Sequence, residues 1–376
     1  MIVVPRRLLD HIDDARAVIW PSPFDDGVRQ IAQARAEGQS VAVVATGDPM
    51  HFGIGGTLVR RLGSDAIVAT PMPSAFSLAA ARMGWPVESA EQLSLHGIAQ
   101  DRAVAALERV TYPGARLLLL SEGARTPATV ADWLVGRGFG RSSVTVLERM
   151  GCPDERVRAW TADGFPGDAT FDALNTLAVE CDAGTDARWH GASPGLPDAA
   201  FAHDGQLTKQ DVRAITISAL KPFPRGVLWD VGAGCGSISI EWLRPARGGR
   251  AYAIEPREER RGMIARNAEG FGLGGLHAVE GNAPDAYSNL PTPDSVFVGG
   301  GIAMDGVAEG AISALRTGGV FVANAVTLEG ETKLAALHAE YGGDLRRVAI
   351  SHCAKIGPFR GWRPSMAVTM LRFVKQ

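Results

Sequence analysis

The chain has 376 residues, about 2.5 times the usual length of one domain, which favours two domains and excludes a single small module. Hydrophobic residues make up 46% and charged residues 21% of it, and no stretch reaches the roughly 18 apolar residues of a membrane-spanning helix. A formal net charge of -3 gives no broad positive field for nucleic acid or an anionic membrane, so we expect a small-molecule partner and neither of those two.

Short apolar runs alternate with segments of helical period along both halves of the sequence. They are residues 41–45, 66–69, 117–120 and 144–147, and then residues 227–231, 251–254, 295–298 and 320–323. Runs that are apolar throughout indicate strands buried on both faces, which is typical of mainly parallel sheets covered by helices. The sequence therefore predicts two α/β domains.

The composition changes between residues 181 and 204, where neither a helical nor a strand period persists and turn-forming residues are frequent. We expect the boundary near Ala187, which gives domains 1–186 and 187–376. A helix is expected to begin just after this segment. There Thr208 can cap the free amides, and Asp211 would be the acidic partner of a capping box.

The strongest chemical signal is a glycine-rich turn that joins a strand to a helix. Asp230 ends the strand, Gly232, Gly234 and Gly236 let the backbone turn beside a ligand, and Ala233 lies among them. A dinucleotide-binding loop requires its third glycine where this chain has Ser237, so pyrophosphate binding is disfavoured. Taken alone, such a turn could also be purely structural.

Two polar residues follow at the ends of the next two predicted strands. Glu255 lies 23 positions after Gly232, where a carboxylate can accept hydrogen bonds from both ribose hydroxyls, and Asn282 with Ala283 follows the next strand. The series resembles the cofactor motifs of Rossmann-like S-adenosylmethionine methyltransferases. The resemblance implies S-adenosylmethionine as the cofactor, with Asn282 at the adenine edge. The alternative is a Glu255 that only caps a helix.

A more specific resemblance covers most of residues 190 to 376. Six segments look like the decarboxylating precorrin methyltransferase domain of cobalamin biosynthesis, namely residues 194–198, 207–213, 230–236, 281–284, 297–301 and 324–327. The resemblance implies that Gly299, Gly300, Gly301 and Asn324 belong to loops that face the substrate. A plain strand-to-helix turn is the alternative for the three glycines.

The first half carries a second constellation. Gly47 frees the backbone after the run 41–45, and Pro49 holds Asp48 extended, a combination that by itself is common turn chemistry. Together with residues 71–81, 93–97, 121–127 and 148–151, it resembles the tetrapyrrole methylases, whose different fold uses the same methyl donor. The resemblance implies that Gly47, Asp48, Pro49 and Ser74 bind the cofactor.

The whole chain thus resembles the bifunctional decarboxylating precorrin-6Y methyltransferases. The resemblance implies methylation of a tetrapyrrole at carbons 5 and 15 and loss of carbon dioxide from the ring C acetate, with the C-terminal domain responsible for decarboxylation and carbon 15. Family members begin with a strand and a Gly-x-Gly loop upstream of the segment matching residues 3–6, so we expect the first sheet to lack one strand. Ala75 stands where a second serine often follows Ser74.

Methyl transfer from a sulfonium to an electron-rich carbon needs alignment and a dry pocket more than a strong base. No catalytic residue is therefore assigned, and His51, His96 and His352 are expected to serve only in core or surface hydrogen bonds. Substrate carboxylates favour guanidinium partners. The C-terminal segment supplies basic residues, but solvated surface is the preferred interpretation for most of Arg346, Arg347, Lys355, Arg360 and Arg363.

The four cysteines are far apart and predict neither a zinc site nor a disulfide framework, so no metal is expected and the cytoplasm is favoured. A homo-oligomer is also expected. Three other functions stay open at this point: a class I RNA or protein methyltransferase with an unrelated N-terminal module, a nicotinamide-dependent reductase, and a non-enzymatic tetrapyrrole carrier.

Overall fold

The computed structural model describes residues 1–97, 100–191 and 193–376. The chain divides into two compact units, the first comprising Met1–Ile98 and Val110–Arg188 and the second comprising Ala99–Arg109 and Trp189–Gln376. Each unit has its own buried apolar clusters. Among the described residues, no helix combines the length and the apolar character needed to cross a membrane.

The first unit contains two sheets. The smaller has three parallel strands, with β1 (Ile2–Val4) between β2 (Ala17–Ile19) and β3 (Ala42–Val43). The strands of the larger are β4 (Glu91–Ser94), β5 (Arg116–Leu120), β6 (Ser143–Glu148), β7 (Arg156–Thr161) and β8 (Asn175–Glu180). Their order is β4-β5-β8-β6-β7, and among these pairs only β4 and β5 run parallel.

Five helices are described before residue 150, of which α4 groups mainly with the second unit. They are α1 (Phe24–Ala36), α2 (Ile54–Leu62), α3 (Ala75–Met83), α4 (Gln100–Val110) and α5 (Thr126–Gly136). The bounds of α3 follow from local chemistry. The Ser74 hydroxyl accepts a hydrogen bond from the amide of Ser77, and Gly84 ends the helix in the left-handed region at φ 67°.

Two strand predictions for this unit are wrong. Residues 66–69 form no strand, because a 3-10 turn (Ser64–Ala66) precedes an exposed segment in which Val68 is 98% accessible. The larger sheet is also mainly antiparallel, although β5 and β6 are buried as predicted. A continuous apolar run reports burial of both faces, whereas strand direction depends on the connections.

The second unit is built on a seven-stranded sheet. Its strands are β9 (Val227–Val231), β10 (Arg250–Ile254), β11 (Leu276–Val279), β12 (Ser295–Val298), β13 (Val320–Ala325), β14 (Asp344–Val348) and β17 (Val368–Val374). The order is β11-β10-β9-β12-β13-β17-β14. The first five strands are mutually parallel, and β17 is antiparallel to both of its neighbours. The connections reverse direction beside β9, which is where parallel α/β sheets open a ligand crevice.

Helices pack against this sheet, and a two-stranded ribbon lies apart from it. The helices are α6 (Gln210–Leu220), α7 (Ser237–Leu243), α8 (Glu258–Gly270), α9 (Val307–Ala314) and α10 (Leu328–Tyr341). The ribbon consists of β15 (Ser351–Ile356) and β16 (Phe359–Pro364). The remaining 3-10 turns are Arg6–His11, Val87–Ser89, Asp198–Ala200 and Asp285–Tyr287.

The predicted capping box at the start of α6 is wrong. The helix begins at Gln210, and its N-cap residue Lys209 makes no side-chain capping hydrogen bond. The carbonyl of Thr208 instead accepts a hydrogen bond from the guanidinium of Arg213. This hydrogen bond ties the segment before α6 to a buried cation.

Arg213 belongs to a fully buried ion pair that fixes the segment preceding α6. Its Nε lies 2.6 Å from Oε1 of Glu241, and both side chains have no accessible surface. Glu241 also accepts the amides of Gly195 and Leu196, at 2.5 and 3.0 Å, while Arg213 lies over the ring of Phe201. These contacts hold residues 194–198, one of the six segments that resemble the precorrin methyltransferase domain, against α6 and α7.

Candidate functional site

A cavity of about 1140 Å³ lies at the carboxyl edge of the parallel strands of the second unit. Its walls are the loops that follow β9, β10, β11, β12 and β13, together with residues 205–212 and the chain on either side of the ribbon. This volume slightly exceeds the roughly 300–1,000 Å³ typical of small-molecule sites. The cavity is therefore large enough for a nucleoside-sized ligand with part of a second ligand beside it.

The glycine-rich turn forms the floor of the cavity. Gly232, Gly234 and Gly236 have φ values of 71°, 59° and 79°, a region that other residues adopt only with strain. A side chain on Gly232 would also place its Cβ 2.9 Å from the backbone nitrogen of Gly300. The loops after β9 and β12 are therefore in backbone contact, and this contact requires glycine at position 232.

Asp230 is fully buried below this turn. Its Oδ2 accepts hydrogen bonds from the Ser239 amide at 3.1 Å and the Ser239 hydroxyl at 2.7 Å, whereas Oδ1 has no partner in the described structure. Burial raises the pKa of Asp230 to about 6, although the hydrogen bonds from Ser239 oppose the shift. A buried carboxylate oxygen without a donor is costly, so this edge of the cavity fits a cationic group such as an ammonium.

Glu255 closes β10 and is 3% exposed. One carboxylate oxygen accepts the amide of Gly234 at 2.9 Å, and the other accepts the amide of Arg257 at 3.1 Å, just before α8. The residue thus braces the glycine turn and also satisfies an amide at the start of a helix. Each oxygen keeps a further lone pair, so acceptor capacity remains for a diol in the cavity.

The remaining predicted residues of the second half also border the cavity. They are Gly232, Ala233, Gly234, Asn282, Ala283, Gly299, Gly300, Gly301 and Asn324. Gly236 is the exception: it is the N-cap residue of α7 and lies against Ile264. The amide of Gly299 donates to the carbonyl of Val231, which joins the first and fourth loops.

Asn324 has a fixed orientation in this wall. The single hydroxyl hydrogen of Thr216 is donated to the carbonyl of Val212 at 2.8 Å, so its oxygen accepts from the Asn324 amide nitrogen at 3.0 Å. The Asn324 Oδ1 is then left without a partner in the described chain. It is a second unsatisfied acceptor among the residues that border this cavity.

The candidate residues of the first unit are also brought together. Gly47 has φ 70°, and a side chain there would lie 3.6 Å from the Cα of Ser74. The Asp48 carboxylate accepts the amide of Met50 at 2.7 Å, and the carbonyl of Pro49 accepts the amide of Gly55 at 2.7 Å. The buried Ser74 hydroxyl lies 3.0 Å from Nδ1 of His51, a partner that the sequence did not identify.

Sequence reasoning missed several residues of the cavity wall. Gln206 and Lys209 reach it from the segment before α6, and His352 and Met366 reach it from the two ends of the ribbon. His352 was expected only in core or surface hydrogen bonding, and its Nε2 does lie 3.7 Å from Asp211. No local sequence pattern marks these positions, because they are far from the glycine turn in the sequence and only the order of the strands in the sheet brings them near it.

Comparisons with known proteins cover both halves of the chain. A family described as the precorrin methyltransferase domain matches residues 199–375, and one described as tetrapyrrole (corrin/porphyrin) methylases matches residues 4–166. A Sinorhizobium protein named precorrin-6Y C(5,15)-methyltransferase (decarboxylating) is 44% identical over 97% of this chain and 88% of its own length. The chain belongs to the precorrin-6Y C(5,15)-methyltransferase (decarboxylating) family.

The chain is also similar to a second curated protein and to a solved domain. A Mycobacterium tuberculosis protein of the same name is 40% identical over 98% of this chain and 90% of its own length. The solved C-terminal domain of the Rhodobacter capsulatus precorrin-6Y C5,15-methyltransferase is 43% identical, covers 50% of this chain and 100% of its own, and has a TM-score of 0.48. The two family matches confirm the predicted pairing of a tetrapyrrole methylase with a Rossmann-like methyltransferase, and the relatives matched over nearly the whole chain disfavour the alternative functions.

Proposed function

We propose that this chain methylates a precorrin at carbons 5 and 15 and removes the ring C acetate carboxyl as carbon dioxide, with S-adenosylmethionine as the methyl donor. The observation that carries the proposal is the 44% identity to a protein named for this activity, which extends over 97% of the chain. We retain domains 1–186 and 187–376, a cytoplasmic location and a homo-oligomeric assembly as parts of the proposal.

The second unit supplies the first donor site. Asp230, with its unpartnered carboxylate oxygen, would face the ammonium of the amino-acid end, and Glu255 would accept from the ribose hydroxyls. Asn282 and Ala283 would lie at the adenine, while Gly232, Ala233, Gly234 and Gly236 shape the turn. These residues fit the donor because the same cavity is bordered by an unpartnered carboxylate oxygen of Asp230, which suits an ammonium, and by the Glu255 carboxylate, which can accept hydrogen bonds from hydroxyls.

The first unit would hold a second donor site built from Gly47, Asp48, Pro49 and Ser74. Support for this comes from the close approach of Gly47 to Ser74 and from the tetrapyrrole methylase match over residues 4–166. We assign carbon 5 to this unit, and carbon 15 with decarboxylation to the second unit.

Methyl transfer from S-adenosylmethionine does not require a strong acid or base among the side chains. S-adenosylmethionine supplies a methyl group that is already activated as a sulfonium. The chain then has to align donor and acceptor and to exclude water. In the second unit, the Gly299–Gly301 turn approaches the glycine-rich turn closely enough to place an acceptor beside the donor, and Asn324 offers a fixed carbonyl oxygen to a substrate N–H or O–H.

The direct test is incubation of the full chain with precorrin-6B and S-adenosylmethionine. We expect a product with two added methyl groups and one carbon dioxide lost, as read by mass spectrometry, with the methyl positions located by NMR. Methyl transfer to bulk RNA or protein, or tight nicotinamide binding without affinity for S-adenosylmethionine, would contradict the proposal.

A further inference from the structure

The ribbon formed by β15 and β16 continues directly from the wall of the cavity. Ile350 and His352 border the cavity where the ribbon begins, and Ser365 and Met366 border it where the ribbon ends. The ribbon pairs only with itself in the described sheets, so both of its faces lie outside the seven-stranded sheet. A ligand that projects from the mouth of the cavity would therefore contact the ribbon.

The ribbon lies in a segment whose Lys, Arg, Asp and Glu positions are all basic. Residues 345–376 contain seven lysines and arginines and no aspartate or glutamate, in a chain whose net charge is -3. Within the described part of the chain, the side chains of Lys355, Arg360 and Arg363, all on the paired strands of the ribbon, make no ion pair or hydrogen bond. A surface with several unpartnered cations is complementary to a ligand that carries several carboxylates.

The register divides the ribbon into two chemically comparable faces. His352 pairs with Arg363 and Ile356 pairs with Phe359, and these two pairs are four positions apart along each strand, so their side chains share one face. A Cβ added to Gly361 would lie 2.5 Å from Cδ1 of Ile356, which shows that Ile356 covers the ribbon on this side. We call this the cavity face, because His352 borders the cavity.

The outer face carries the intervening pairs. Cys353 pairs with Trp362 and Lys355 pairs with Arg360, so this face has the same kinds of group, an aromatic ring and cations, directed away from His352. Arg360 on the outer face is therefore a matched control for Arg363 on the cavity face. The two residues have the same side chain, lie on the same strand and are three positions apart.

We propose that the cavity face of the ribbon binds the part of the tetrapyrrole that projects from the cavity, with Arg363 holding a substrate carboxylate and Ile356 and Phe359 contacting the apolar macrocycle. The inference rests on the proposed function, since it names where that substrate binds. Ile356 and Phe359 are 60% and 75% exposed, so both apolar side chains are available to contact a ligand on this face.

The same chemistry argues against a second copy of the chain as the occupant. An isologous contact between two ribbons would bring like charges together, because residues 345–376 contain no acidic residue to pair with these cations. A carboxylate-rich, largely apolar macrocycle matches both the charge and the exposed rings. Assembly of the protein would then use another surface.

Uroporphyrin III, a stable tetrapyrrole with eight carboxylates, is a suitable probe, and its octamethyl ester is the uncharged counterpart. We expect Arg363→Gln in the full chain to weaken uroporphyrin binding about five- to tenfold in a fluorescence titration, since one charge-assisted contact is lost. Phe359→Ser should weaken binding of both probes about threefold or more. Arg360→Gln should change either affinity less than twofold, and no variant should alter S-adenosylmethionine binding.

Methyl transfer to the precorrin, measured in parallel, separates this inference from the proposed function. Arg363→Gln should raise KM with little change in kcat, because the contact is distant from the reacting carbon. If the unaltered chain transfers no methyl group to the precorrin, the proposed function is wrong. If it does transfer the methyl groups but Arg363→Gln and Arg360→Gln behave alike, only the ribbon assignment is overturned. Ribbon variants that change the mass seen by light scattering without changing uroporphyrin affinity would assign the ribbon to a second copy.

Discussion

Asp230 combines full burial with one carboxylate oxygen that has no donor among the described residues. Its folded-state pKa of about 6 lies above its ordinary value, so the protonated form favours folding and the ionised form opposes it. This contribution to stability is present at low pH and is lost as pH rises through about 6. The ionised form is, however, the one that attracts a cation, so binding and stability respond to pH in opposite directions.

Asp230→Asn should therefore weaken S-adenosylmethionine binding about tenfold or more at pH 8, because a charge-assisted hydrogen bond to the ammonium is lost. In the unaltered chain, affinity should increase as pH rises from 5 to 7, and in the variant that increase should disappear. Isothermal titration calorimetry across this range provides the measurement.

Two comparisons make the Asp230 prediction specific. Asp230→Asn should leave the free energy of unfolding at pH 8 unchanged or raise it, which excludes misfolding as the cause of weak binding. In Glu255→Gln, the affinity for S-adenosylmethionine should still rise with pH, but the rise should occur at lower pH, because the Glu255 charge contributes to the raised pKa of Asp230. An undiminished pH step in Asp230→Asn would assign the titration to another group.

At the scale of elements, the buried pair of Arg213 and Glu241 joins α6 to α7 and fixes residues 194–198. Arg213→Met should lower the free energy of unfolding of the second unit by about 3–5 kcal/mol, because it leaves the Glu241 carboxylate buried and without its cation. Urea unfolding followed by tryptophan fluorescence would measure it, since Trp229 and Trp242 are buried in this unit.

The control for this prediction is Lys333→Met, which removes a more exposed pair with Glu309 on the neighbouring helices. It should cost only about 0–1 kcal/mol, because exposed ion pairs contribute little. Equal losses in the two variants would show that the buried pair contributes no more to stability than an exposed one.

The same scale shows what the sequence could and could not predict. The turn from Asp230 to Gly236 and the position of Glu255 were predictable, because strand, glycines and carboxylate follow one another locally and β9 has the predicted bounds. The contact of Gly232 with Gly300 and the approach of His352 and Met366 to the cavity were not, since they depend on strand order. The cap of α6 was mispredicted because the N-cap position is Lys209, one residue after the threonine that could have capped the helix, and a local pattern does not fix a helix end to one residue.

For the whole molecule, the two units carry separate sets of candidate donor-binding residues, which predicts two methyl transfers that can be lost one at a time. Glu255→Gln should reduce methylation at carbon 15 at least a hundredfold, because the lost acceptor lies in the cavity of the second unit, while carbon-5 methylation stays within about twofold. Asp48→Asn should reverse the pattern, because Asp48 orders the turn after β3 in the first unit.

The readout that distinguishes one site from two is the position of the added methyl groups, determined by NMR of products made with isotopically labelled donor. A shared pocket would make each variant lose both methylations in parallel, whereas separate pockets give two different mono-methylated products. Decarboxylation should disappear with carbon-15 methylation in Glu255→Gln if both steps use the cavity of the second unit. Its persistence there would show that the acetate is oriented by residues outside the donor site.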